Sequence, residues 1–279
     1  MTIAEWLKSA TEALEQSGCP DPAIDSRWIA EDILHMSASA LRFEANNSPE
    51  AAQLEEMNAC LQRRIKGEPV QYILKRADFM GLTLYVDNRV LIPRQDTETL
   101  VEAVIVELQG MKEPHVLDMC AGSGAIGLSI KTLVPRAEVT LSDISAGALE
   151  VVKKNAHDLG AEVSMRQGDL FSAVGKEKFD LIVSNPPYIR RSDMLQLQRE
   201  VRFEPELALD GGLDGLDFYR RIAEDAGRHL NRGGCIYLEV GEGEAQSVEE
   251  LLKHNLDCTE SGIIRDLNGI ERIVWARTK

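Results

Sequence analysis

From Thr97 onward the chain alternates between segments that read as helix and segments that read as strand, and this restricts the fold more than any other feature. Apolar residues at helical spacing mark 100–108, 125–133, 146–159, 218–230 and 245–254. Short apolar runs mark strands at 115–119, 138–141 (running on to Asp143), 162–165, 179–183, 235–240 and 272–276. Such alternation predicts an α/β domain with a mostly parallel sheet and helices on both faces. Right-handed crossovers then bring the strand C-termini to one edge, where ligands bind.

The first third reads differently. Ile3, Trp6, Leu7, Ala10 and Leu14 recur at helical spacing and Gly18 supplies a stop; Ile24, Trp28, Ile29 and Ile33 repeat the pattern. A third helix is expected from Ser48 as N-cap and Pro49 at the first helical position, with Leu54, Met57, Leu61 and Ile65 as its apolar face and Gly67 as its end. Between these parts, Leu82, Leu84 and Val86 alternate with polar residues, and Val90-Leu91-Ile92 follows Asp87-Asn88, which predicts a β-hairpin around that dipeptide. The expected organisation is a helical domain at 1–75, a hairpin linker at 76–95 and an α/β domain at 96–279.

Charge and cysteine usage narrow the function classes. The net charge is −15, with −5 in residues 1–75 and −10 in the rest, so neither part is a basic arm for nucleic acid. The five cysteines, at 19, 60, 120, 235 and 258, are widely spaced with no Cys-x-x-Cys, which fits reduced thiols in a cytoplasmic protein. No histidine pair has metal-ligand spacing, so no metal is expected. No apolar run approaches the length of a membrane span, and the first residues do not read as a signal peptide.

Two motifs carry chemistry. The strand at 115–119 leads into Cys120-Ala121-Gly122-Ser123-Gly124, a turn whose glycines let the backbone approach a ligand. Nineteen residues after Gly124, Asp143 ends the next strand, where a carboxylate can accept both ribose hydroxyls. Gly122, Gly124 and Gly127 also fit a dinucleotide fingerprint, so an NAD-dependent oxidoreductase is a rival reading. Asp118 counts against it: a carboxylate there repels a pyrophosphate, whereas it could hold the cationic amino group of a methionine moiety. The second motif is Asn185-Pro186-Pro187-Tyr188, ending the strand at 179–183. Its prolines stiffen the loop. Asn185 Oδ1 and the Pro186 carbonyl can each accept one N–H of a planar NH2 group, and Tyr188 can pack on its flat face. Two acceptors on those hydrogens return electron density to an otherwise inert nitrogen, the mirror image of an oxyanion hole.

These motifs resemble those of class I S-adenosylmethionine-dependent amino-methyltransferases, with a Rossmann-like sheet, and more narrowly the bacterial protein glutamine N5-methyltransferases that act on peptide-chain release factors. Further blocks carry the likeness: Gly67-Glu68-Pro69-Val70-Gln71-Tyr72-Ile73, Arg89-Val90-Leu91-Ile92-Pro93-Arg94 with Thr97-Glu98, Glu204-Pro205 with Ala208-Leu209, Asp214-Gly215-Leu216, and Asp266-Leu267 with Gly269 and Arg272. The resemblance implies S-adenosylmethionine as donor and S-adenosylhomocysteine as product. The substrate it implies is the glutamine of the Gly-Gly-Gln loop in class-1 release factors. It also implies a docking role for the helical domain. Residues 120–124 would surround the methionine part, Asp143 the ribose and Asp169-Leu170 the adenine, while Asn185 would touch both donor and substrate. A monomer that binds neither membrane nor nucleic acid directly is expected. Two alternatives share the tetrapeptide: an N6-adenine methyltransferase, disfavoured by the charge, and a glutamine methyltransferase acting on a ribosomal protein, disfavoured by Ile92-Pro93-Arg94 and Asp96-Thr97-Glu98. The chain departs from the family pattern where Cys120-Ala121 replaces Gly-Thr and where Leu170 replaces an aromatic residue, and both changes predict looser donor binding.

Overall fold

A computed structural model describes residues 1–279. The chain divides into two compact units: residues 1–76 with 198–203, and residues 77–197 with 204–279. No helix is long and apolar enough to cross a membrane.

The first unit is helical. It contains α1 (Ile3–Gln16), α2 (Pro22–Leu34), α3 (Ala38–Phe43), α4 (Ala51–Ile65) and α5 (Val70–Leu74). Thr2 and Glu5 form a capping box on α1, and Pro22 opens α2. The expected Ser48-Pro49 start of the third predicted helix is corrected. That helix is α4, it begins at Ala51, and Glu50 is its N-cap, with Gln53 Oε1 accepting the Glu50 N–H (3.1 Å). The short α3 and α5 had no sequence forecast. Trp6, Ala10, Leu14, Ile29, Ala30, Met57 and Leu61 form the core. Beside that core, buried Arg64 donates to Asp25 (2.5 Å), Cys19 Sγ (3.1 Å) and Glu200 (2.9 Å), so residues 198–203 complete this unit although they come from far along the chain. Arg199 donates to the carbonyls of Ser17, Ile65 and Lys66, capping two helix ends, and Gly67 (φ 95°) has no room for a Cβ against it.

The second unit opens with a hairpin of β1 (Ala77–Phe79) and β2 (Leu82–Leu84). The turn is Met80-Gly81, both at positive φ, the geometry that matches the twist of a tight hairpin. The predicted hairpin around Asp87-Asn88 is therefore wrong, although the chain does turn there, with the Val90 N–H donating to the Asp87 carbonyl (3.1 Å). Asp87 accepts from Tyr85 Oη and from the Arg89 backbone and guanidinium, so its side chain ties down an irregular segment, and residues 90–92 form no strand.

The α/β part follows in the order α6 (Asp96–Glu107), β3 (His115–Met119), α7 (Ala125–Leu133), β4 (Glu138–Asp143), α8 (Ala146–Leu159), β5 (Ser164–Gln167), β6 (Phe179–Ser184), α9 (Asp217–His229), β7 (Leu230–Glu239), α10 (Ala245–Asn255), β8 (Cys258–Arg265) and β9 (Glu271–Thr278). The seven strands lie in the order β5-β4-β3-β6-β7-β9-β8, with β9 antiparallel to β7 and β8 and the other pairs parallel. The sheet is thus mostly parallel, as expected. β5 lies two residues later than predicted, and β8 had been missed. Period-2 alternation splits the core between the two faces. Val116, Leu181, Val183 and Tyr237 pack with α6, α7 and α8, whereas Leu117, Ile182, Ile236 and Leu238 pack with α9 and α10. The strand order reverses between β3 and β6, which makes their C-terminal ends the ligand-binding crevice of an open α/β sheet.

Candidate active site

Strand register assembles the site. Met119 pairs with Ser142 on one side and with Ser184 on the other, so Cys120, Asp143 and Asn185 leave three adjacent strands at one level. Gln167 pairs with Asp143, which brings Gly168-Asp169 to the same edge. Buried Ser184 donates to the Met119 carbonyl (2.6 Å) and locks the start of the proline loop to the start of the glycine turn.

One cleft opens along this edge. Counted out to its mouth, open solvent included, it spans about 930 Å³. Of the residues singled out from the sequence, Cys120, Gly122, Asp143, Asp169, Leu170, Asn185 and Pro187 line it. Ala121, Ser123, Gly124, Pro186 and Tyr188 are not on its wall. Ser123 is buried, with its carbonyl taken by Asn155 Nδ2 (2.9 Å), and Gly124 (φ 81°) serves as the N-cap of α7. Residues that sequence reasoning missed also line the cleft: Arg89, Val90 and Leu91 from the linker, Ile144 just after the acid, Leu207 and Ala208, and Phe218 with Arg221. Ile144 and Leu207 are exposed aliphatic side chains at the cleft, a signal that only the structure carries.

Asp143 is held by its own backbone surroundings. Oδ2 accepts the Gly122 N–H (2.9 Å) and Oδ1 the Ser145 N–H (2.8 Å), and each oxygen keeps a lone pair for a further donor. Burial raises its pKa, while these backbone bonds act to lower it. Asp169 accepts from Arg221 (2.6 Å). Asp118 departs from the role suggested for it. It is fully buried off the cleft, with Oδ2 accepting the Gly127 N–H (2.8 Å), so it anchors the start of α7, and burial pushes its pKa up to about 7. Cys120 (φ 61°) and Leu170 (φ 48°), the two departures from the family pattern, are both non-glycine residues in the left-handed region, a conformation costing about 1–2 kcal/mol. Burial pushes the Cys120 thiol up to about 12, so it is not a thiolate nucleophile.

The proline loop is clamped from behind. The Ile189 N–H donates to the Leu209 carbonyl (2.9 Å), and the Gly211 N–H donates back to Ile189 (2.8 Å). A Cβ at Gly211 would strike the Tyr188 backbone, so only glycine fits there. Tyr188 itself is mostly buried, and burial pushes its hydroxyl up to about 12, so it does not ionise near neutral pH.

The cleft thus offers the Asp143 carboxyl with lone pairs free for further donors, apolar side chains beside it, close backbone approach at Gly122 and the Asn185 amide at the head of the proline loop. Those features fit the adenosine and methionine parts of S-adenosylmethionine. A family model described as "Methyltransferase small domain" matches residues 95–201, and one described as "PrmC N-terminal domain" matches residues 5–74. The solved structure of the Thermus thermophilus 16S rRNA N2 G1207 methyltransferase in complex with AdoMet and guanosine shares the fold. Its TM-score is 0.54 at 18% identity, covering 73% of this chain and 50% of that one. Fold, cleft and family model together define an S-adenosylmethionine-dependent methyltransferase. Proteins called release factor glutamine methyltransferase are similar over nearly the whole length. The one from Geobacter sulfurreducens is 38% identical over 99% of this chain and 96% of its own, and the one from Bordetella pertussis is 42% identical over 90% and 93%. The chain belongs to the release factor glutamine methyltransferase family.

Proposed function

We propose that this enzyme transfers the methyl group of S-adenosylmethionine to the side-chain nitrogen (N5) of the glutamine in the Gly-Gly-Gln loop of class-1 release factors. The observation that carries the reading is the register that places Asn185, at the head of the stiff proline loop, level with Cys120 and Asp143 on one cleft. When bound, S-adenosylmethionine supplies a methyl on a cationic sulfur that leaves as a neutral thioether. Asp143 holds the ribose hydroxyls. Ile144 and Leu170 flank the purine, Asp169 faces its edge, and Cys120 and Gly122 flank the methionine part. Asn185 Oδ1 and the Pro186 carbonyl accept the two N–H bonds of the glutamine amide, Pro187 stiffens the loop, and Tyr188 backs the amide plane.

This cradle does two things. It aims the nitrogen in line with the carbon–sulfur bond, and such positioning supplies on the order of 7–11 kcal/mol. It also stabilises positive charge growing on nitrogen, by about 3–4 kcal/mol on the scale of an oxyanion-hole donor. The nitrogen–carbon bond forms as the carbon–sulfur bond breaks, and the N-methylated amide cation then loses its proton readily to water. No general base is required, consistent with a tetrapeptide that carries no His, Lys or carboxylate.

The helical unit would dock the release factor, and we place the enzyme, as a monomer, in the cytoplasm with its substrate. The net charge of −15 counts against a nucleic-acid substrate. Peptide mass spectrometry after incubation with donor and a purified bacterial class-1 release factor tests the reading. It should find 14 Da added to the glutamine of the Gly-Gly-Gln loop; an unmodified loop after many enzyme equivalents would overturn it.

A further inference from the structure

A side-chain amide has nearly the same shape in either of two orientations, but only one presents its oxygen. With the wrong one, the NH2 of Asn185 would meet the NH2 of the substrate, and the cradle would repel what it should hold. We propose that Thr97, backed by Glu239, is a positioning residue that fixes the Asn185 amide with Oδ1 toward the substrate. The proposal rests on the acceptor role given to Asn185 above.

Three observations carry it. Asn185 Nδ2 donates to Thr97 Oγ1 (3.3 Å), and Thr97 is buried in the first turn of α6. Glu239 is also buried, and the pairing of Ser184 with Leu238 sets it beside Asn185 on the neighbouring strand. Its Oε2 has no hydrogen-bond partner. Thr97 and Asn185 both favour its charged form, as does Arg272, although burial is the larger effect. A hydroxyl has a single proton. Directed to a carboxyl oxygen of Glu239, which can accept in either protonation state, that proton leaves Thr97 Oγ1 free to accept, and the group it accepts from must be the amide nitrogen. The proton order Asn185 to Thr97 to Glu239 therefore selects one amide orientation.

The arrangement also accounts for a signature the reaction otherwise leaves unused. In Asp96-Thr97-Glu98, Glu98 accepts the Met80 N–H of the hairpin turn (2.7 Å) and Asp96 pairs with Arg272 (3.4 Å), while Thr97 alone points to the chemistry.

The test compares Thr97→Val, which keeps shape and removes the hydroxyl, with Thr97→Ser, which keeps the hydroxyl. Methyl transfer to a release factor gives kcat and KM, and calorimetry with S-adenosylhomocysteine checks the donor site. A misoriented acceptor should lower kcat about 10- to 100-fold in Thr97→Val, with KM and donor affinity within about threefold. Thr97→Ser should recover most of the rate. Glu239→Met should lose as much as Thr97→Val, and the double variant no more than either, because both act through one amide. Should Thr97→Val fail to fold, Thr97→Ala is measured in the same way. Wild-type kcat in Thr97→Val, a loss confined to KM, or additive losses would overturn the proposal while leaving the methyltransferase reading intact. Asn185→Ala, run alongside, separates the two: if it turns over normally, the acceptor reading fails and takes this proposal with it.

Discussion

Replacing Asp143 by Asn tests the donor site with little change of shape. In the native site both carboxylate oxygens are engaged, Oδ2 by the Gly122 N–H at 2.9 Å and Oδ1 by the Ser145 N–H at 2.8 Å. An amide offers one oxygen. Its NH2 must then face one of those N–H groups, so the turn loses one charge-assisted bond and the ribose loses a charged acceptor. A hydrogen bond to a charged group contributes about 1.5–3 kcal/mol, so S-adenosylhomocysteine should bind roughly 10- to 150-fold more weakly. Removing a buried carboxylate, whose pKa burial has raised, offsets part of the damage to folding, so the thermal midpoint should move much less than the affinity. Isothermal titration calorimetry on wild type and variant, with the midpoint recorded for each, is the assay. A Kd within threefold of wild type in a folded variant would refute the role given to Asp143.

Three other expectations concern the same framework. Glu239, pushed up from 4.5 to about 7, holds its proton more tightly folded than unfolded, so its contribution is present below pH 4.5 and lost as pH rises through 7. Glu239→Gln cannot titrate and should gain about 2–3 kcal/mol over wild type between pH 5 and pH 8 in urea unfolding, because other titrating groups such as Asp118 contribute to both; an equal difference at the two pH values would contradict this. Cys120→Gly relieves a left-handed residue and clears space at the donor, so S-adenosylhomocysteine should bind as tightly or a few-fold tighter, and weakening beyond threefold by calorimetry would count against the strain argument. Arg64→Ala leaves Asp25 buried without its partner and should cost about 3–5 kcal/mol, seen as earlier melting and faster proteolysis of the helical unit; unchanged protease resistance would mean the ion pair contributes little.

The sheet was legible because its strands are buried and short. The apolar runs at 115–119 and 179–183 and the acid at Asp143 marked three strand ends, and parallel pairing did the rest. Strand β8 was not legible: Cys-Thr-Glu-Ser-Gly-Ile-Ile-Arg is an edge strand, largely half-exposed, without clean alternation. The hairpin was displaced because the Asp87-Asn88 turn has no strand after it, whereas the turn that joins the two strands, Met80-Gly81, places a bulky residue at positive φ. Arg89, Val90 and Leu91 reach the cleft from an irregular segment, and Arg199 and Glu200 complete a unit more than 120 residues earlier in the chain; neither placement leaves a local pattern. Glu239 stood unremarked at the end of a predicted strand, since only register shows that it neighbours Asn185.

The most direct measurement is a crystal structure of the enzyme with S-adenosylhomocysteine and a Gly-Gly-Gln segment of a release factor. The account predicts the glutamine nitrogen about 3 Å from both Asn185 Oδ1 and the Pro186 carbonyl, with the vacated sulfur in line beyond it. A glutamine turned to present its carbonyl oxygen to Asn185, or one lying beyond hydrogen-bond reach of both acceptors, would contradict it.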